Sequence, residues 1–272
     1  MKEFALIAGF TAAAIVLGAG VLHVLPRLGS AGRRLSNAMC RAPLLDLPVT
    51  YFTVAPMIVG PIIAGWIGLA GGVVGQIVGM QTWAVLHSLA NPKLRGTPRI
   101  HTTLNQIVGP FRNYGAVWLT AFVLPVFWLV RMAEIFLYPF IRVLVRFPKY
   151  DHGDWVRVGR QKFDGLISHD LIWCLYCDWM TGVWSLGSEM LRNVESFWCP
   201  IRFDSEKKCS NCRLDFPDVN GEWVAADGSM EEVTAVLRAK YAAPAEPNSW
   251  FGHPARLTVE GESPTVDPEQ RT

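Results

Sequence analysis

Formal charge is scarce in this 272-residue sequence, of which 18% is Asp, Glu, Lys or Arg while 51% is hydrophobic. The scarcity is concentrated in the first half, where residues 49–90 contain no formal charge at all. Ordinary soluble proteins lack such runs, and about 20 consecutive apolar residues are enough to cross a bilayer. The sequence therefore predicts a membrane part, residues 1–147, followed by a water-soluble part, residues 148–241.

Signatures of several known chemistries are also missing. The sequence has no phosphate-binding glycine loop, no Gly-x-Ser-x-Gly elbow and no His-Glu-x-x-His helix. Its six histidines show no paired spacing typical of haem or di-iron sites. The net charge of +2 is too small to favour nucleic acid as a partner, and the basic residues stand beside apolar segments. The lipid bilayer is therefore the first partner that the sequence indicates.

Four apolar segments are predicted to be membrane elements, at residues 4–25, 49–68, 72–90 and 114–145. We expect the first to be an uncleaved anchor and the next two to form a hairpin. The glycines at 68, 71, 72 and 75 indicate the turn, although glycines at this spacing also permit close packing of membrane helices.

The segment at residues 114–145 admits two topologies. A single crossing would place the following basic residues outside, whereas a bent or re-entrant hairpin keeps them inside, and we favour the hairpin. Arg131 and Glu134 in this segment stand three residues apart and can pair on one helix face. A functional contact within the membrane is one reading of this pair, but a pair at the membrane surface is the one we favour.

Basic residues indicate the orientation in the membrane. Arg27, Arg33, Arg34 and Arg41 follow the first segment, and further basic residues follow the third. Since loops rich in Lys and Arg stay on the cytoplasmic side, we predict a multi-pass protein of the inner, cytoplasmic membrane. With the hairpin at residues 114–145, the water-soluble part is also cytoplasmic.

Residues 168–213 hold five of the six cysteines. Apolar residues recur there at steps of three and four, which predicts an amphipathic helix from Ser168 to about Ser196. Cys174 and Cys177 fall on one face of that helix. A capping box at Ser229 and Glu232 predicts a second helix at about residues 230–241. The last residues, 242–272, are expected to be disordered or bound to a partner.

Cys209 and Cys212 form a polar Cys-x-x-Cys turn of the kind found in zinc knuckles and rubredoxin-type sites. Together with Cys174 and Cys177 they could complete a tetrahedral four-thiolate site. Cys199 is a fifth thiol that could replace one of these ligands. Zinc in such a closed shell would be structural, whereas iron or an iron-sulfur cluster would carry electrons. Cys174 and Cys177 lie in a very apolar run, so the alternative is that they are buried core residues that bind no metal.

The fold class predicted from the sequence is mainly α, with three to five membrane segments and a small Cys-rich helical domain with a knuckle-like turn. The first functional hypothesis is an accessory or assembly subunit of a membrane complex, with a metal-stabilised cytoplasmic domain and with other subunits or a second copy as partners. An iron-sulfur or rubredoxin-like electron-transfer subunit is the alternative. A transporter or channel is disfavoured, because the spans are few and hold few ionisable residues.

Overall fold

A computed structural model describes residues 1–94, 96–208 and 222–241. Helices dominate this part of the chain, and its only β pairing consists of two isolated bridges, Arg41 with Arg157 and Ile201 with Val224. The predicted mainly α class is confirmed. The described residues divide into two compact units, Met1–Pro125 with Asp151–Val183, and Val126–Tyr150 with the described residues from Trp184 onward.

Four helices form the first part of the chain. They are α1 (Lys2–Val24), α2 (Gly29–Ala38), α3 (Asp46–Phe52) and α4 (Val54–Ala90). Helix α4 is a helical hairpin, because its backbone leaves helical geometry at Ala64 and Gly65, and Gly65 has a φ of +54° that favours glycine. A hairpin was predicted here, but its turn comes a few residues before the predicted glycines.

Those glycines instead let helices approach each other. A Cβ built on Gly68 would overlap the backbone of Gly60 on the other limb of the hairpin. Gly71, Gly75 and Gly79 recur every four residues along one face of α4, and this face packs on α1. A Cβ on Gly79, for example, would lie 2.8 Å from the Cβ of Ile15. Of the two roles weighed for the glycines 68–75, close packing is the one that the structure shows.

The next apolar segment is helical from Pro110 to Val145. It comprises α6 (Pro110–Ala121), α7 (Leu124–Met132), a π-helical stretch (Ala133–Leu137) and α8 (Tyr138–Val145), and it follows α5 (Ile100–Val108). The segment is one helical run of 36 residues. Phe122 and Val123 are turn residues between α6 and α7, and the two parts of the segment belong to different compact units, so the bent or re-entrant hairpin favoured from the charge distribution stays a prediction.

Three helical segments are long and apolar enough to cross a membrane: Lys2–Arg27, Val54–Ala90 and Pro110–Val145. We refer to them as the first, second and third spans. Their positions agree with the predicted membrane segments, with the second span covering both limbs of the hairpin. Association with a membrane is therefore supported by length and composition.

The remaining helices are α9 (His152–Trp155), α10 (Ser168–Trp198) and α11 (Met230–Tyr241). The predicted amphipathic helix from Ser168 is confirmed as α10, which contributes residues to both compact units. The predicted capping box of α11 is also present, because the Ser229 amide donates to Glu232 and the Glu232 amide donates to the Ser229 hydroxyl.

Candidate functional site

Cys174 and Cys177 lie three residues apart on α10, and both are half-buried. Helical geometry directs the two side chains to the same face, as the sequence predicts. Burial raises the pKa of the Cys174 thiol, and the neighbouring Arg160 guanidinium opposes that shift. Because a metal ligand must be the thiolate, Arg160 favours the ligand form of this thiol.

The two carboxylates nearest these thiols in sequence cap backbone amides. Asp170 accepts hydrogen bonds from the amides of Ile100 at 2.9 Å and His101 at 3.1 Å, the first two residues of α5. Asp178 accepts from the amides of Gly159 at 2.8 Å and Arg160 at 3.2 Å. A carboxylate at a helix N-terminus also interacts favourably with the helix dipole. Both side chains therefore stabilise the fold around α10.

Of the three other predicted ligands, Cys199 is the one that lies within the described residues. Cys199 is exposed and follows directly after α10. Cys209 and Cys212 lie outside the described residues. Within residues 1–94, 96–208 and 222–241 no group of three or more His, Cys, Asp and Glu side chains is arranged to hold a metal ion. The structure therefore gives no support to the predicted Cys-rich metal domain, and the four-thiolate site stays a prediction.

Buried charge is the most unusual feature of the second compact unit. Arg131 and Glu134 in the third span form an ion pair with 2.7 Å between Nη1 and Oε2, and their side chains are 0% and 2% exposed. Glu134 lies in the π-helical stretch, a deformation that often marks functional positions. The predicted pairing is correct, but the pair is enclosed by protein instead of reaching for the membrane surface.

Helix α10 carries a second buried pair that sequence reasoning missed. Glu189 and Arg192 are separated by 3.7 Å between Oε1 and Nη2, and their side chains are 0% and 1% exposed. A signal for Glu189 was available, because it falls three residues after Leu186, which is part of the apolar face of α10. Charges placed on an otherwise apolar helix face indicate a buried network.

Hydroxyl and amide groups extend the pair on α10. Tyr150 donates a hydrogen bond of 3.0 Å to Glu189, and the Asn193 amide donates to the hydroxyls of Tyr150 at 2.6 Å and Tyr138 at 3.2 Å. Burial and the Glu189 charge together raise the pKa of the Tyr150 phenol well above its usual range. Tyr150 therefore stays protonated and serves as a donor to the carboxylate.

Gly187 allows α10 to approach the third span at this network. A Cβ built there would lie 2.7 Å from a methyl carbon of Val130 and 3.4 Å from Oε1 of Glu134. The Glu134 carboxylate therefore faces α10 at Gly187. We call the two ion pairs, together with the side chains bonded to the second pair, the charge network: Arg131, Glu134, Tyr150, Glu189, Arg192 and Asn193. The network contains two basic and two acidic side chains, so their formal charges cancel.

The first compact unit brings together histidines that are far apart in sequence. The rings of His23 and His87 lie 5.5 Å apart, and those of His101 and His169 lie 5.9 Å apart. His169 also contacts the Gln81 side-chain oxygen at 2.5 Å. Burial and the His101 charge lower the pKa of His169. No sequence spacing could reveal these pairs, since the partners lie on different helices.

Comparisons with known proteins give no relative for this chain, because no family model, no curated protein and no solved structure matches it. Its function must therefore be argued from its own residues. Three features carry that argument: the spans with their uncovered apolar surfaces, the charge network, and the thiol pair on α10.

Proposed function

We propose that this chain is an integral membrane protein that serves as an accessory or assembly subunit of a larger membrane complex. One observation carries the proposal. Of the most apolar 18-residue windows in the first, second and third spans, only 6%, 22% and 11% of the residues are buried within the chain. Surfaces this apolar require lipid or partner helices to cover them, and helices of partner subunits are one such cover.

The charge network supports an anchoring role over transport. A transported ion or proton needs charged groups that face water or one another along a path. Arg131 and Glu134 are instead buried and paired with each other, with 2.7 Å between Nη1 and Oε2. Breaking such a pair is costly, and pairing of this kind serves to specify how two elements pack. We therefore assign the network to holding α10 and the third span in one arrangement.

Two backbone hydrogen bonds favour a cytoplasmic location for the segment that leads into α10. The Ala42 amide donates to the Val156 carbonyl, and the Val158 amide donates to the Cys40 carbonyl. The distance between nitrogen and oxygen is 2.9 Å in each bond. The connector at residues 146–167 therefore lies on the same side of the membrane as the basic loop after α1. Since basic loops stay inside, we propose that this side is the cytoplasm and that the membrane is the inner membrane.

A structural metal is the second part of the proposal. Its support is the pair of half-buried thiols on one face of α10 beside Arg160, together with the knuckle spacing of Cys209 and Cys212. Zinc would hold the Cys-rich part together. Iron at the same thiolates would make the chain an electron-transfer subunit instead.

Alkaline carbonate extraction and native electrophoresis test the proposed role. The chain should stay with the membrane at high pH, and in a mild detergent it should migrate with stoichiometric partner subunits. Release by carbonate would contradict the integral assignment, and migration as the free chain in every mild detergent would contradict the accessory role.

Thiol labelling tests the orientation independently. A variant that retains Cys199 as its one cysteine presents an exposed thiol just after α10. A membrane-impermeant maleimide should label it only after the inner membrane is permeabilised. Labelling in intact spheroplasts would place this part of the chain outside.

A further inference from the structure

A basic cleft opens beside the loop that follows α2. It has a volume of about 400 Å³ and lies between the end of α2 and the connector. The lining residues are Asn37, Ala38, Cys40, Arg41, Arg157, Val158, Gly159 and Lys162. Three of the eight are permanently or normally cationic, and none is an acid.

Arg41 and Arg157 stand directly opposite each other across this cleft. They form an isolated antiparallel bridge, flanked by the hydrogen bonds from Ala42 to Val156 and from Val158 to Cys40. Arg41 and Arg157 are therefore a non-hydrogen-bonded pair, the type of antiparallel pair in which the two Cα atoms lie closer together. The side chains of such a pair point to the same side of the two strands. Two like charges are thus held side by side by the backbone, an arrangement that is unfavourable on its own.

No acidic side chain in the described parts of the chain forms an ion pair with these cations. Within residues 1–94, 96–208 and 222–241, no carboxylate oxygen lies within 4.0 Å of a charged nitrogen of Arg41, Arg157 or Lys162. Asp178, which contacts the connector, is engaged with Arg160 and with the backbone amides of Gly159 and Arg160. An unbalanced cluster of cations around a cleft is complementary to an anion.

The thiol in the cleft is compatible with an anionic ligand. Burial raises the pKa of Cys40, and the Gln161 amide donates a hydrogen bond of 3.1 Å to its sulfur. Cys40 therefore stays a neutral thiol at neutral pH and adds no negative charge.

We propose that this cleft binds a phosphate group, supplied by an anionic phospholipid headgroup or by a free phosphate. Each arginine fork can hold two phosphate oxygens, and Lys162 adds a point charge. The position favours a headgroup, because α2 exposes Leu35 beside Arg33 and Arg34, as helices that lie in a membrane interface do. The headgroup source depends on the proposed membrane location, whereas binding of a free phosphate does not.

The test uses the full-length protein in neutral detergent micelles. The probes are phosphatidylglycerol, phosphatidylcholine and inorganic phosphate, and the readout is the thermal unfolding midpoint as a function of probe concentration. The Arg41→Gln/Arg157→Gln variant should weaken anion binding about tenfold or more, since hydrogen bonds to charged groups are lost. Arg33→Gln/Arg34→Gln removes the same charge from α2 outside the cleft lining and should keep the binding of inorganic phosphate.

Each outcome bears on the proposal. Stabilisation by phosphatidylglycerol alone identifies a lipid headgroup, and stabilisation by inorganic phosphate identifies a soluble ligand. Without ligand, the cleft variant should unfold no earlier than the wild type, because it relieves repulsion. If the variant nevertheless fails to fold, Arg157→Lys keeps the charge without the fork and should bind with intermediate affinity. The proposal is wrong if no anion stabilises the wild type, or if both double variants behave alike.

Discussion

Gly75 of α4 packs directly on the backbone of Ala8 in α1, and a Cβ built on Gly75 would lie 2.9 Å from the Ala8 Cα. Small residues let two membrane helices approach closely enough for their backbones to touch, which is a main source of helix association in lipid. The contact between the first two spans therefore depends on the absence of one side chain.

Replacing Gly75 by alanine should destabilise the protein by about 1–3 kcal/mol, because the added methyl group overpacks the contact with α1. Unfolding by SDS in mixed micelles, followed by helical circular dichroism, measures the change.

Gly9→Ala is the matched control for this change, since nothing lies within 4 Å of a Cβ at Gly9. Alanine favours a helix over glycine, so this control should be neutral or slightly stabilising. Equal effects of the two substitutions would show that α1 does not pack on α4 as described.

Arg131→Met should cost about 3–5 kcal/mol, because it leaves the buried Glu134 carboxylate without its ion-pair partner. Arg131→Met with Glu134→Leu removes both charges and should recover much of that loss. The measurement is a double-mutant cycle of unfolding free energies in detergent.

Arg142→Met removes a positive charge from an exposed position of the same span and should change stability little. If Arg131→Met is as mild as this control, or if the double substitution is simply the sum of the two single ones, the pair is not the buried contact described above.

The lowered pKa of His169 predicts that stability falls with acid. The unfolded histidine takes up a proton near its ordinary pKa of about 6.5, while burial and the His101 charge hold the folded group neutral to lower pH. Its contribution is therefore present above about pH 6.5 and is lost as the pH falls toward the folded pKa. His169→Gln should flatten the dependence of the unfolding midpoint in this window, and an unchanged slope would contradict the assignment.

The predicted metal site can be tested by composition. Anaerobically purified protein should be colourless and hold about one zinc ion, and either Cys209→Ser or Cys174→Ser should remove the metal. Cys40→Ser, which lies outside the predicted ligands, should leave the metal content unchanged. Iron with visible absorbance would favour the electron-transfer alternative, and protein without metal would end the metal proposal.

Much of the membrane architecture follows from charge and apolar length alone. Residues 49–90 have no formal charge, so a hairpin of two limbs was expected, and α4 has that form. The turn was misplaced because glycine both opens turns and permits close packing. Gly65 forms the turn, whereas Gly75 permits close packing of α4 on α1. The two roles can be told apart only when the neighbouring helix is known.

The burial of the Arg131–Glu134 pair could not be predicted from the sequence of the third span alone. Arg131 and Glu134 have the spacing of a surface pair, and nothing within the third span predicts their burial. Burial comes from α10, whose Gly187 admits the Glu134 carboxylate. Residues more than fifty positions later in the chain thus decide the environment of the pair, and helix periodicity carries no information across that distance.

We propose that this chain is an integral membrane subunit on which a larger complex depends. Quantitative native electrophoresis of membranes from a strain lacking the chain, compared with the parent strain, tests this most directly. We predict that the complex migrating with the chain in the parent shifts to smaller subassemblies in the deletion strain and is restored by the wild-type chain. An unchanged set of membrane complexes would contradict the claim.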